Sequence, residues 1–140
     1  MATTRNATTH WEGSLFEGAG QVTLESSGIG TYDVSWASRA EEANGKTSPE
    51  ELIAGAHSAC YSMAFSNMLA KNDTPADRLE TSAVVTFVPG TGITKSALIV
   101  VATIPGIDED TFQELAADAK ANCPVSGALS VEITLEAKLS

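Results

Sequence analysis

A chain of 140 residues is long enough for one hydrophobic core, burying roughly 68–70% of its unfolded surface without disulfide or metal staples. Its 43% apolar and 19% charged residues describe a globular protein rather than a disordered one. The net charge of −10, with eight Lys and Arg in all, leaves no basic cluster to meet phosphates, so nucleic acid and anionic membrane surfaces are excluded as expected partners.

Taken in chain order, the first 40 residues read as three strands, Thr9–Gly13, Gln21–Ser26 and Tyr32–Ala37, with turns near Gly18-Ala19-Gly20 and Gly28-Ile29-Gly30. A loop from Glu41 to Thr47 then leads into the best-marked element. Ser48 suits a helix N-cap, Pro49 the first helical position, and Glu51 falls at N3 to complete a capping box. The helix should run to about Lys71, where Asn72-Asp73-Thr74-Pro75 stops it. Its apolar residues, among them Leu52, Ile53, Ala56, Ala59, Met63 and Phe65, cover most of its circumference, which predicts burial on all sides. In so small a domain, that means packing against its own sheet and against a second subunit.

Thr81–Pro89 and Ile93–Ile104 read as a hairpin around Gly90-Thr91-Gly92. Asp108 or Asp110 caps a second helix running to about Asn122, with Phe112, Leu115, Ala116 and Ala119 on its apolar side. Val131–Leu139 alternates as a half-exposed final strand. The order βββ-α-ββ-α-β predicts an α+β fold in a single domain, 1–140, and not a doubly wound parallel sheet. Residues 1–10 lack the apolar core of a signal peptide, and no run of 18 apolar residues occurs, so the expected location is the cytoplasm, with reduced thiols and no membrane span.

Two cysteines, Cys60 and Cys123, hold most of the chemical information. They are 63 positions apart and so form no CxxC pair, and with only His10 and His57 they make no recognisable four-ligand zinc spacing. Two lone thiols suit an enzyme that attacks with one sulfur and resolves with the other. They suit two inert buried thiols about as well. Cys60 lies about three turns into its helix, too deep for strong help from the helix dipole. With an ordinary thiol pKa of about 8.5, it needs a cationic partner to be reactive.

Of three arginines, Arg5 lies in the tail and Arg78 in a charged loop, so Arg39 is the best placed. Paired with Glu41 or Glu42, it would equally be a solvated loop charge. Glu51 is accounted for by the capping box, and Glu50 at N2 favours the helix dipole. Glu50 is ten residues from Cys60, or about 15 Å along a straight helix, too far for contact within one chain. Antiparallel pairing of two such helices about a two-fold near residue 55 would bring Glu50 of one chain beside Cys60 of the other. His57, one turn before Cys60, reads first as a packing or interface residue and second as a partner of a Cys-His nucleophile. Tyr61 and Phe65 read as core.

Thr47-Ser48-Pro49-Glu50-Glu51-Leu52-Ile53 through Ala59-Cys60-Tyr61-Ser62-Met63-Ala64 closely resembles the helix of the OsmC/Ohr peroxidase family, and Cys123-Pro124-Val125-Ser126 resembles its second cysteine motif. The likeness extends to His10-Trp11-Glu12-Gly13, Pro105-Gly106-Ile107-Asp108 and Glu132-Ile133-Thr134-Leu135, and so spans essentially the whole chain. It resembles the OsmC branch: the Ohr branch carries its arginine in the N-terminal glycine-rich turn, where Ser14–Gly20 here has none, and Arg39 stands where OsmC proteins have theirs. The resemblance implies an intertwined homodimer of α+β subunits that reduces organic hydroperoxides. It implies Cys60 as the peroxidatic thiol, Cys123 as the resolving thiol, Arg39 as the stabiliser of the thiolate and Glu50 as the residue that orients Arg39. It further implies no bound metal, flavin or haem, and an external dithiol, of lipoyl type or on a lipoylated protein, as reductant. The rival functions are a general thiol–disulfide oxidoreductase and a non-enzymatic dimeric binding protein with inert cysteines.

Overall fold

Three short strands open the chain as an antiparallel meander, β1 (Thr8–Glu12), β2 (Ala19–Thr23) and β3 (Thr31–Val34), in the order β1-β2-β3. The computed structural model describes all 140 residues, and they fall into two units, Met1–Leu52 and Ile53–Ser140. Within the first unit, Gly20 of β2 faces Trp11 of β1, and a Cβ there would come within 2.5 Å of the His10 carbonyl oxygen. Only glycine allows the strands to approach so closely under the indole.

The third strand is shorter than the sequence suggests. It ends at Val34 because Ser35 turns out of the sheet and caps a five-residue helix, α1 (Trp36–Ala40). Ser35 Oγ accepts from the Ser38 N–H at 3.1 Å and the Ser38 hydroxyl accepts from the Ser35 N–H at 3.0 Å, a reciprocal box that overrides the strand preference of Trp36. After α1 the chain returns to β3, where Thr47 donates its N–H to the Asp33 carbonyl at 2.9 Å and bridges Val34.

The long helix α2 (Pro49–Lys71) has the predicted bounds, but only the Ser48 half of the expected capping box is formed. Ser48 Oγ accepts the Glu51 N–H at 3.2 Å, while the Glu51 carboxylate takes its bond from the Thr47 hydroxyl at 2.5 Å. In the second unit, β4 (Arg78–Val88) and β5 (Gly92–Thr103) form the expected hairpin, and β6 (Glu132–Leu139) pairs parallel to β5, leaving β5 central. Asp108, and not Asp110, caps α3 (Glu109–Asn122), accepting the Thr111 N–H at 2.9 Å. A short α4 (Pro124–Ala128) follows, with Pro124 at its first turn.

The core of this unit forms where three periodicities meet. Tyr61, Phe65 and Leu69 recur every fourth residue along α2, Leu98, Val100 and Ala102 every second along β5, and Phe112, Ala116 and Ala119 along α3; all are buried. The rings of Phe65 and Phe112 sit 5.9 Å apart. Burial of each large side chain stabilises the fold by about 1.5–3 kcal/mol. All-round burial of α2 is not met within the chain: Ala56, Ala59 and Met63 are exposed, Met63 at 73%. The architecture is α+β, and none of its helices is long and apolar enough to cross a membrane.

Candidate active site

The first unit builds a half-buried ion pair. Arg39 sits in the last turn of α1, whose position is fixed by Ser38 donating its hydroxyl to the Thr47 carbonyl at 2.9 Å. That bond ties α1 to the residue just before α2, and so to Glu50 in the first turn of α2. Arg39 approaches Glu50 side-on: Nε donates to Oε1 at 3.2 Å and to Oε2 at 3.1 Å, and Nη2 donates to Oε2 at 3.0 Å. The carboxylate is 8% exposed and the guanidinium 32%, so the shared charge is only partly screened. Among the partners weighed from sequence, the structure pairs Arg39 with Glu50, whose two oxygens suit the planar fork of the guanidinium.

Arg39 also borders a cavity of about 390 Å³ whose other walls include Trp11, Leu15, Val22, Val34 and Trp36. Phe16 stacks edge-on against Trp36, with ring centroids 5.6 Å apart. No pattern in the chain signalled this cavity, since its walls come from three strands, the start of α2 and a helix hidden inside an apparent strand. The arrangement is one cation at the rim of an apolar hollow.

The second unit builds the thiol pair. Cys60 projects from the middle of α2 and Cys123 stands between α3 and α4, and their sulfurs are 2.9 Å apart. Both are free thiols, Cys123 buried and Cys60 half-buried. Burial pushes the Cys60 thiol up, and its hydrogen bond with Cys123 pushes it further, against a smaller pull from the Val125 N–H. No positive charge is among the groups that shift it. For Cys123, burial works upward but is outweighed by hydrogen bonds with Cys60, Ser126 and Val125, so its thiol lies below the ordinary value.

His57 is fully buried, as its packing reading predicts, and both ring nitrogens are occupied: Nδ1 lies 2.7 Å from Ser96 Oγ on β5 and Nε2 2.8 Å from Ser126 Oγ on α4. Burial lowers the imidazole pKa, which keeps the ring neutral at neutral pH. Ser96 was invisible in the sequence, being 39 residues from its histidine. Ser126 was visible only as part of the Cys123-Pro124-Val125-Ser126 motif. No three His, Cys, Asp or Glu side chains converge in a metal-binding cluster. Of the four site residues expected from sequence, Arg39 and Glu50 meet each other, and Cys60 and Cys123 meet each other.

Comparison with known proteins gives consistent matches. The family described as OsmC-like protein matches residues 42–138. The peroxiredoxin OsmC of Escherichia coli K12 is 42% identical over 133 residues, covering 93% of this chain and 92% of that protein. Among solved structures, an OsmC-like protein from Mycoplasma pneumoniae superposes with a TM-score of 0.73 at 14% identity, covering 99% of both chains. An organic hydroperoxide resistance protein OsmC from Legionella pneumophila does so with a TM-score of 0.69 at 21% identity, covering 100% of this chain and 98% of that one. At these identities the two structures speak to the fold.

Proposed function

The chain belongs to the OsmC family and is a peroxidase, and on that premise we propose that it reduces organic hydroperoxides to alcohols as a cytoplasmic homodimer, with residues 1–140 acting as one OsmC-like domain. The observation that carries the reading is the 2.9 Å approach of two sulfurs that stand 63 residues apart in the chain. The Cys60 thiolate attacks the O–O bond, the alcohol leaves, and Cys60 becomes a sulfenic acid. Cys123 condenses with it to a disulfide, which an external dithiol of lipoyl type, free or on a lipoylated protein, reduces by exchange; no bound cofactor takes part.

Arg39 stabilises the Cys60 thiolate and donates a hydrogen bond to the peroxide oxygen, while Glu50 orients it; their three-bond pairing supports these roles. Glu50 and Cys60 are ten residues apart on α2, or about 15 Å along the axis, so the Arg39–Glu50 pair of one protomer serves the Cys60 of the other. The exposed Ala56, Ala59 and Met63 on α2 supply an apolar face for that association. The cavity beside Arg39 suits the organic part of the substrate.

The test is consumption of cumene hydroperoxide with a dithiol, comparing the wild type with Cys60→Ser and Cys123→Ser. Turnover should be lost in both, with Cys123→Ser keeping one stoichiometric reaction. A reduced wild-type protein that consumes no peroxide would overturn the proposal, leaving an inert-thiol binding protein. Faster reaction with protein disulfides than with peroxide would favour a thiol–disulfide oxidoreductase.

A further inference from the structure

His57 precedes Cys60 by three residues on α2, and Ser126 follows Cys123 by three residues, in the middle of α4. The imidazole–hydroxyl bond at 2.8 Å and the sulfur–sulfur contact at 2.9 Å are therefore successive rungs of one antiparallel ladder, 57 to 126 and 60 to 123. We propose that the His57–Ser126 rung is a clamp that holds Cys123 in register with Cys60, so that the oxidised Cys60 is captured as a disulfide before a second peroxide reaches it. His57 and Ser126 are thus positioning residues for the resolving step, and the inference rests on the peroxidase reading above.

Four features make the clamp specific. Ser96 lies on β5, the central strand of its sheet, and its hydroxyl fixes the other imidazole nitrogen, so the ring orientation is set from the sheet and not from α4. His57, Ser96 and Ser126 are all buried, where a bond of this kind does not compete with water. The segment being held is short: α4 is five residues long, and Cys123 stands at its N-cap without closing a side-chain cap bond. Neutrality of the buried imidazole lets it hold Ser126 without placing a charge beside the thiols.

The clamp decides between two balanced reactions. In the productive one, the Cys123 sulfur attacks the Cys60 sulfenic sulfur, the S–O bond breaks, and the departing hydroxide takes the Cys123 proton to leave as water. In the competing one, a second hydroperoxide transfers an oxygen atom to the sulfenic sulfur, giving the sulfinic acid and another alcohol. The first depends on the local presentation of Cys123, the second on peroxide concentration. Loosening the clamp therefore shifts the ratio toward sulfinic acid at any given peroxide level.

The experiment titrates reduced full-length protein with cumene hydroperoxide and reads the disulfide and the Cys60 sulfinic acid by intact-mass spectrometry. It compares wild type, Ser126→Ala, Ser126→Thr and His57→Gln. Ser126→Ala removes the hydroxyl and with it the bonds to both His57 and Cys123, so wild-type partitioning in it overturns the clamp even where His57→Gln fails to fold, while His57→Gln, which leaves the Ser126–Cys123 bond in place, assigns the effect to the clamp. The peroxide level giving equal disulfide and sulfinic acid should fall about tenfold in both Ser126→Ala and His57→Gln, as expected for loss of the buried His57–Ser126 bond at the strong end of its range. Ser126→Thr, which keeps the hydroxyl, should restore the wild-type ratio. A purely structural weakening would lower the unfolding temperature in both Ser126 variants without this split in product ratio. Wild-type partitioning in Ser126→Ala would overturn the clamp alone. A wild-type protein that forms no Cys60–Cys123 disulfide would overturn the peroxidase reading, and the clamp with it.

Discussion

Replacing Arg39 by lysine tests whether the fork geometry matters or only the charge. In the structure one guanidinium makes three N–H···O contacts to the two oxygens of Glu50, using Nε and Nη2. A lysine ammonium is a point donor on a flexible stem and cannot present two parallel N–H groups to both oxygens. The change forfeits at least one charge-assisted bond, nominally about 1.5–3 kcal/mol. Arg39 is about one-third exposed, so solvent screening brings the expected loss to about 1–2 kcal/mol. If Glu50 aligns the guanidinium for the reacting sulfur and peroxide, that loss appears in kcat/KM as roughly a 5- to 30-fold decrease. The assay is steady-state consumption of cumene hydroperoxide under saturating dithiol, with thermal unfolding run in parallel. Glu50→Gln should give a decrease of similar order, because it keeps the shape and removes the charge. A kcat/KM for Arg39→Lys within twofold of wild type would refute the alignment argument and leave the pair a structural ion pair.

Two further outcomes check other parts of the reading. Met63 is 73% exposed on the face of α2 opposite the buried Tyr61–Phe65–Leu69 stripe. If that face is the dimer interface, Met63→Asp removes two buried thioethers per dimer and puts two charges in their place. At about 1.5–3 kcal/mol for each lost burial, the dissociation constant should rise more than a hundredfold, and sedimentation should show a monomer with little peroxidase activity; an unchanged dimer would refute it. Asp108, whose carboxyl is held below its ordinary value by the Thr111 N–H and hydroxyl, caps α3. A group with a lowered folded pKa stabilises above its unfolded value and ceases to as pH falls through the folded one. Asp108→Ala should therefore lower Tm at pH 7 by a gap that narrows below about pH 4, and a gap constant down to pH 2 would contradict the assignment.

Much of the fold was legible because local signals and tertiary demands agree. The Ser48-Pro49 start and the Asn72–Pro75 stop of α2 are local chemistry, and so is the alternation that places Leu98, Val100 and Ala102 on the buried face of β5. α1 was not legible, because Trp36 and Ala37 continue an apolar run, and only the Ser35–Ser38 box, satisfied in three dimensions, turns that run into a helix. Read from the residues alone, the site was legible as residue types and not as pairings, which came only with the family resemblance. Nothing in a spacing of 63 residues says that two sulfurs meet, and nothing near Arg39 in sequence favours Glu50 over Glu41 or Glu42. Those pairings depend on how α4 is set against α2 and on the Ser38–Thr47 bond, which are properties of the folded chain.

The thiol pair also shows why a cation is needed at all. A free thiol with a pKa of about 8.5 is only a few per cent thiolate at neutral pH, and burial takes Cys60 in the wrong direction from there. Proximity to Cys123 does not help the first step, since it too raises the Cys60 pKa. Burial beside Cys123 thus leaves Cys60 a poor nucleophile unless a cation comes near it. One positive charge placed near its sulfur reverses this, because opposite charges within about 4–6 Å commonly shift a pKa by 1–3 units. The Arg39–Glu50 pair has the form such a group requires: a guanidinium held rigidly enough to keep its position when the peroxide arrives, at the edge of an apolar hollow. In the proposed cycle, attack and resolution place opposite demands on the thiol environment, and a cation brought by the other protomer of the proposed dimer would meet the first without disturbing the geometry of the second.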